Sequence, residues 1–152
     1  MMRIAVLSAV AVGGLATAMI TSGVTAQGPG LPGITEIEQV SGNVYKIFGN
    51  GGNTTVLVRA DDVVLIDTKI PGSGEAILAE IRKVTDKPVG RIINTHSHPD
   101  HVGSNAFFTD ASDRVQVVAQ ARSAERMGAG GGPFPALEVD DSFDSELAIG
   151  DG

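Results

Sequence analysis

The stretch "VVLIDT", residues 63–68, constrains the fold of this chain more than any other. Four consecutive aliphatic residues, Val63 to Ile66, suit a strand covered on both faces, because a strand with one wet face would alternate. The period then changes. Ser73 is a plausible N-cap, and Ile77, Leu78, Ile81 and Val84 follow at helical spacing. Pro88 disfavours helical dihedrals in the residue before it, so the helix ends by Asp86–Lys87, and "GRIINT" (90–95) reads as the next strand. Strand, helix and strand over about thirty residues form a βαβ unit. The strand at 91–94 is therefore expected to run parallel to that at 63–67, with both ending on one edge of the sheet. Asp67 and the residues after Asn94 belong to that edge, where ligands collect in open α/β sheets.

The flanking segments extend this unit. "NVYKIFG" (43–49) and "TTVLVRA" (54–60) read as strands around a tight turn, "NGGN" (50–53), since Asn-Gly is the strongest short hairpin signal. A second turn at Asp61–Asp62 leads into 63–68, so three strands make an antiparallel meander. Beyond the βαβ unit, "HVGSNAFF" (101–108) predicts a short helix, "VQVVA" (115–119) a strand and "QARSAERM" (120–127) a helix. "GAGGGPFP" (128–135) is a flexible loop that either borders a pocket or simply connects, and "ELAIG" (146–150) is a last strand. The final Gly150-Asp151-Gly152 is a turn signal that normally joins two strands, which suggests a chain cut in mid-fold. No internal repeat is present.

The N-terminus has a different character. Arg3 precedes an uncharged run from Ile4 through Ile20, and Val24-Thr25-Ala26 supplies small residues where a signal peptidase reads. Residues 1–26 are expected to be a signal peptide cleaved after Ala26, giving a periplasmic or secreted protein with no stable membrane association. A retained anchor is the weaker alternative, because glycine- and alanine-rich breaks lower the hydrophobicity of the run. No cysteine follows the run to carry a lipid, and no Arg-Arg pair precedes it, which favours the general secretory route. "QGPGLPG" opens a flexible lead-in over 27–35, and residues 36–152 are left for one modest domain.

Composition excludes some functions. The chain holds 11 Lys+Arg against 18 Asp+Glu, a formal net charge of −7, and no basic cluster, so nucleic-acid binding is not expected. With no cysteine, neither disulfides nor thiolate metal sites are available. Aromatic residues are 4% of a chain that is 42% hydrophobic, so the core must be aliphatic.

All three histidines fall within "THSHPDH", at His96, His98 and His101. Side chains two apart on an extended backbone share a face, so His96 and His98 can converge on one cation. Pro99 changes the direction of the chain, and Asp100 and His101 follow on the bend, placed to serve a neighbouring ion. Imidazole nitrogen and carboxylate oxygen both suit zinc. Ser97 lies beside two histidines, but no G-x-S-x-G elbow supports a serine nucleophile.

"INTHSHPDHVGSN" resembles the His-x-His-x-Asp-His signature of the metallo-β-lactamase superfamily, and "VVLIDT" resembles that family's earlier aspartate motif. The resemblance covers residues 36–152. It implies an α/β fold, the N-terminal half of an αβ/βα sandwich with a mixed sheet and helices on one face. It also implies a zinc centre, often of two ions, with iron or manganese as known substitutes. By position, His96 and His98 would hold the first ion, Asp100 and His101 the second, and Asp67 would hold the site in shape. Asp100 would also orient the attacking water. The implied activity is hydrolysis of a small-molecule substrate, metal-activated hydroxide attacking an ester, thioester, lactone or β-lactam carbonyl.

The chain departs from the family pattern in two places. Ser104 replaces a second glycine, and its small size predicts little consequence. The family also takes further histidines and a bridging carboxylate from later in the chain, whereas no histidine follows His101 here. Two protein ligands per ion leave each site short of the three usual for catalytic zinc. Residues 1–152 are accordingly expected to be an incomplete fragment, inactive and molten or aggregating alone. The alternative is a non-catalytic, partly folded metal-binding fragment. A heterodimer supplying the missing ligands has no sequence support. The absence of cysteine argues against the lactamase class that places cysteine on its second zinc, and His96 in place of asparagine argues against the single-zinc class. Thioester and lactone hydrolysis, and sulfur- or quinone-linked chemistry, share the motif. Substrate and oligomeric state stay open.

Overall fold

A computed structural model describes residue 33 and residues 36–112, 114–130 and 135–150. The expected signal peptide (1–26), most of the lead-in and the terminal Asp151–Gly152 lie outside the described residues.

A single seven-stranded sheet organises the described chain, with strands β1 (Glu38–Ser41), β2 (Val44–Ile47), β3 (Thr54–Val58), β4 (Val63–Ile66), β5 (Val89–Asn94), β6 (Gln116–Gln120) and β7 (Asp141–Phe143) adjacent in chain order. β1 to β4 form an antiparallel meander, and β4 to β7 run parallel. The parallel pairing of β4 with β5, Leu65 opposite Ile92, is the expected βαβ geometry. Its crossover is α1 (Gly74–Ile81); α2 (Pro99–Val102) and α3 (Asn105–Ala111) follow β5, and α4 (Ala121–Ala129) follows β6.

The sheet is mixed and its helices lie on one face. Ile77 and Ile81 of α1, Val102 of α2, Phe108 of α3 and Met127 of α4 pack with Val56, Val63, Leu65, Ile92 and Val117 in one aliphatic core. Each such side chain, withdrawn fully from water, contributes about 1.5–3 kcal/mol. The opposite face is a smaller cluster, Val64, Ile93 and Val118, overlain by Leu147 and Ile149. Val63, Val64 and Leu65 are all fully buried, which explains their unbroken hydrophobic run. Among the described residues, no helix is long and apolar enough to cross a membrane.

Four local expectations are corrected. Residues 146–150 do not form a strand; the edge strand is β7, and 146–150 cross the second sheet face. Alternation puts Leu147 and Ile149 on one side, and that pattern serves face packing as well as strand pairing. β1 carries no strand signal in the sequence, since all four of its residues are exposed and have no apolar period; its ladder to β2 defines it. The predicted 101–108 helix is two helices, broken at Gly103–Ser104. Ser73 occupies the N-cap position of α1 without capping it. Its hydroxyl instead accepts from Asn50 Nδ2 at 2.8 Å.

Candidate metal centre

The site forms where β4 and β5 end side by side. Asp67 N–H closes the β4 ladder on Ile93 O at 3.0 Å, and the chain then turns sharply, with Asp67 at φ +63° and Lys69 at φ +64°. These left-handed conformations cost about 1–2 kcal/mol each for residues with a Cβ, so packing must enforce them. The result is a buried Asp67 carboxylate, 4% exposed, aimed across at the loop that leaves β5. It accepts from Thr95 N–H at 2.8 Å, from the Thr95 hydroxyl at 2.6 Å and from His101 Nδ1 at 2.7 Å. A carboxylate has only acceptors to offer, so His101 carries its proton on Nδ1 and leaves Nε2 with a lone pair.

Beneath this lies a buried amide network. Asn105 Nδ2 donates to Asn94 Oδ1 at 2.7 Å, and Thr68 Oγ1 donates to Asn105 Oδ1 at 2.7 Å. Both Thr68 N–H (2.7 Å) and Asn94 Nδ2 (3.2 Å) then donate to His101 O. Ser104, expected from its size to matter little, is itself a tie: its hydroxyl donates to Ile70 O at 2.7 Å and accepts from Ser73 N–H at 2.9 Å. The loop therefore has a fixed backbone before any side chain meets a ligand.

His98 is the extended residue capping α2, and Pro99 takes the first helical position, where its missing N–H costs nothing. This places His96 and His98 on extended chain, and Asp100 and His101 on the first turn of α2. The rings of His96 and His98 lie 4.7 Å apart between centroids, and those of His96 and His101 only 3.9 Å apart. Asp67, His96 and His101 each bring a ligand atom within 4.8 Å of the others. His98 and Asp100 stand at the margin of that group. Asp100 is half-exposed, with Oδ2 3.5 Å from His101 Nε2. His96 thus lies closer to His101 than to His98, ring to ring. Burial, and then the neighbouring His101 and His98, hold the His96 imidazole below its ordinary pKa. The neutral, ligating form is favoured.

The loop between β2 and β3, expected as a tight Asn-Gly turn, is wider: pairing ends at Ile47–Thr54, and residues 48–53 reach over the site. Gly52 N–H donates to Asp100 O at 3.0 Å. A Cβ on Gly52 would stand 2.6 Å from His101 Cε1, and one on Gly51 would stand 2.7 Å from Asp100 Cβ. Only glycine lets the backbone come this close. These contacts were missed because "NGGN" reads equally well as a simple turn. On the other side, a cavity of about 490 Å³ is lined by Ser97, Pro99, Val102, Arg126, Met127 and Leu137, among others. Ala129, Gly130 and Pro135 of the glycine-rich loop also line it, while residues 131–134 lie outside the described residues.

Imidazole nitrogens and carboxylate oxygens converging this closely, with no thiolate among them, match the donors that zinc and similar divalent cations take. A mixed α/β sheet with such a donor cluster at its parallel-strand edge defines an α/β protein with a candidate metal site. The sequence profile of the metallo-beta-lactamase superfamily matches residues 47–151, and the chain belongs to that superfamily, whose members are metal-dependent hydrolases. Over 84 residues it is 37% identical to a probable metallo-hydrolase of Streptococcus pyogenes serotype M6, covering 53% of this chain and 34% of that protein. Over 65 residues it is 37% identical to the linear primary-alkylsulfatase of a Pseudomonas strain, covering 40% of this chain and 12% of that enzyme. The solved subclass B3 metallo-β-lactamase of Bradyrhizobium japonicum superposes with a TM-score of 0.67 at 28% identity, covering 77% of this chain and 49% of that one. The chain thus spans about half the length of that structure, about a third of the first curated relative and about an eighth of the second.

Proposed function

We propose that this chain is the N-terminal part of an exported, zinc-dependent hydrolase acting on a small molecule. The observation that carries the reading is the convergence of Asp67, His96 and His101 within 4.8 Å at the carboxyl edge of β4 and β5. In this reading His96 and His98 hold one cation, and Asp100 and His101 a second. The remaining donors come from residues that this sequence does not contain, since no histidine follows His101. Bound there, the cations would supply a nucleophile at neutral pH by lowering the pKa of a coordinated water to about 7.

The chain's own residues do the positioning. Asp67 holds the proton on His101 Nδ1, which keeps Nε2 free to ligate. Asp100, half-exposed beside His101, orients the attacking water and accepts its proton on Oδ2. Pro99 and the amide network around Asn94 and Asn105 fix the loop, so little reorganisation remains for the reaction. Ester, thioester, lactone and β-lactam carbonyls are the substrates this chemistry suits, and the alkylsulfatase relative adds sulfate esters to those worth assaying.

The test is metal analysis of the gene's full product together with a panel of β-lactam, thioester, lactone and alkyl-sulfate substrates. About one to two equivalents of zinc, and turnover of one substrate class that is lost with His96→Ala plus His98→Ala, support the reading. Full-length protein that takes up no zinc, iron or manganese overturns it. Zinc uptake without any turnover favours a non-catalytic metal-binding protein instead. Export is checked by N-terminal sequencing of mature material, expected to begin at Gln27.

A further inference from the structure

Lys69 is fully buried, with 0% of its surface exposed. Lysine is almost never found so, unless paired with an anion. The three acceptors found for this ammonium are all backbone carbonyls: Ile47 O at 2.9 Å, Gly49 O at 2.7 Å and Gly52 O at 2.8 Å. An ammonium has three protons to donate, and all three are used on the last residue of β2 and the loop that joins it to β3.

The same residue is tied to the opposite wall. Its carbonyl accepts from Gly103 N–H, just past α2, at 2.9 Å, and the next residue, Ile70, donates its N–H to Asn50 O at 3.4 Å. The loop that Lys69 gathers is the one whose Gly52 abuts the His101 ring and donates to Asp100 O. Lys69 also holds this place at φ +64°, where glycine would sit without strain. A residue that merely filled space here would not need a left-handed lysine with a desolvated charge.

We propose that Lys69 is a positioning residue of the metal centre: its ammonium clamps the β2–β3 loop down onto Asp100 and His101, fixing where those two ligands stand. The inference rests on the metal-centre reading above. Without the clamp, the three carbonyls lose a buried donor, the loop lifts, and the backing of the His101 ring goes with it. The apolar core on the helical face, among Val56, Leu65, Ile77 and Phe108, does not include Lys69.

The experiment compares full-length wild type with Lys69→Met, which keeps the length and removes the donor. Cobalt(II) uptake is followed by its visible absorption, and zinc affinity by chelator competition. The expected result is a folded variant, judged by cooperative unfolding, whose zinc affinity falls 10–100-fold and whose cobalt spectrum shifts. Residues 1–152 contain no cysteine, so Lys69→Cys, with any cysteine further along the full-length protein first replaced by serine, alkylated with 2-bromoethylamine in denaturant and refolded, restores an ammonium at this one position. That protein is expected to regain the wild-type spectrum. A folded Lys69→Met with wild-type affinity and spectrum overturns the proposal while leaving the metal-centre reading intact. Wild type that binds neither metal overturns both. If Lys69→Met does not fold, proton exchange at Lys69 Nζ in metal-loaded wild type decides: slow exchange of the ammonium protons supports the clamp, and exchange at the rate of a solvated lysine overturns it.

Discussion

Asp67→Asn isolates the contribution of one buried charge. The substitution keeps the volume, and asparagine tolerates φ +63° better than most residues. What changes is acceptor capacity. Asp67 Oδ1 takes Thr95 N–H, while Oδ2 takes both the Thr95 hydroxyl and His101 Nδ1. An asparagine that keeps its oxygen on Thr95 N–H presents its NH₂ to His101. The ring must then move its proton to Nε2, the nitrogen that a cation needs. If the amide flips to serve His101, Thr95 N–H loses its partner. Either way, one hydrogen bond to a charged acceptor is lost, worth about 1.5–3 kcal/mol where buried. Thr95 is exposed, so the lower half of that range applies to folding stability.

The effect on the cation is larger in proportion, because the carboxylate sets the His101 tautomer. Loss of such an outer partner lowers metal affinity by about 10–100-fold, or roughly 1.4–2.8 kcal/mol. Chelator competition at pH 7 measures the affinity, and urea unfolding of the metal-free protein measures stability. Asp67→Ala removes all three acceptor contacts, and alanine tolerates the left-handed conformation less well than aspartate or asparagine, so it must be the more damaging in both assays. An Asp67→Asn protein with unchanged zinc affinity would refute the orienting role, whatever its stability.

Three further outcomes follow from the same geometry. The folded state holds the His96 pKa below its usual 6.5, so the unfolded chain binds the proton first as pH falls through that value. Stability of the metal-free protein therefore declines on acidification below about pH 6.5. His96→Gln should flatten that part of the urea-midpoint profile, and an unchanged slope contradicts the assignment. Gly52→Ala drives a Cβ to 2.6 Å from His101 Cε1, so zinc affinity should drop at least tenfold with little change in the far-UV circular dichroism. Wild-type affinity in that variant means the loop does not bear on the ring. Phe108→Ala empties a nearly fully buried site on the helical face and should cost about 3–5 kcal/mol in chemical unfolding, with a loss under 1 kcal/mol showing that α3 is not part of the core.

How much of this was legible in the sequence depended on the range of the interaction. The β4–α1–β5 unit could be read because its signals are local and redundant: an apolar run, a change of period and a proline all agree. The histidine cluster was equally plain, since six consecutive positions hold every imidazole in the chain. What spacing could not supply was how far apart those rings stand. His96 and His98 share a side of an extended segment, yet the turn into α2 brings His101 closer to His96 than His98 is. A single hydrogen bond from His101 to Asp67, 34 positions away, sets that orientation.

Lys69 shows the limit most sharply. In sequence it is one cation after "LIDT", and nothing local distinguishes it from a solvated lysine. Its role exists only because the meander delivers residues 47–52 to the end of β4, where the carbonyls of Ile47, Gly49 and Gly52 converge on one ammonium. The glycines at 51 and 52 look like turn chemistry for the same reason. Their second constraint, the absence of a Cβ against Asp100 and His101, is imposed by residues some fifty positions downstream. Local patterns thus identify the elements and the atoms that can bind a cation. Where those atoms stand is decided by buried polar groups that must find partners across the fold, and a charge sealed under a loop is the strongest such demand in the chain.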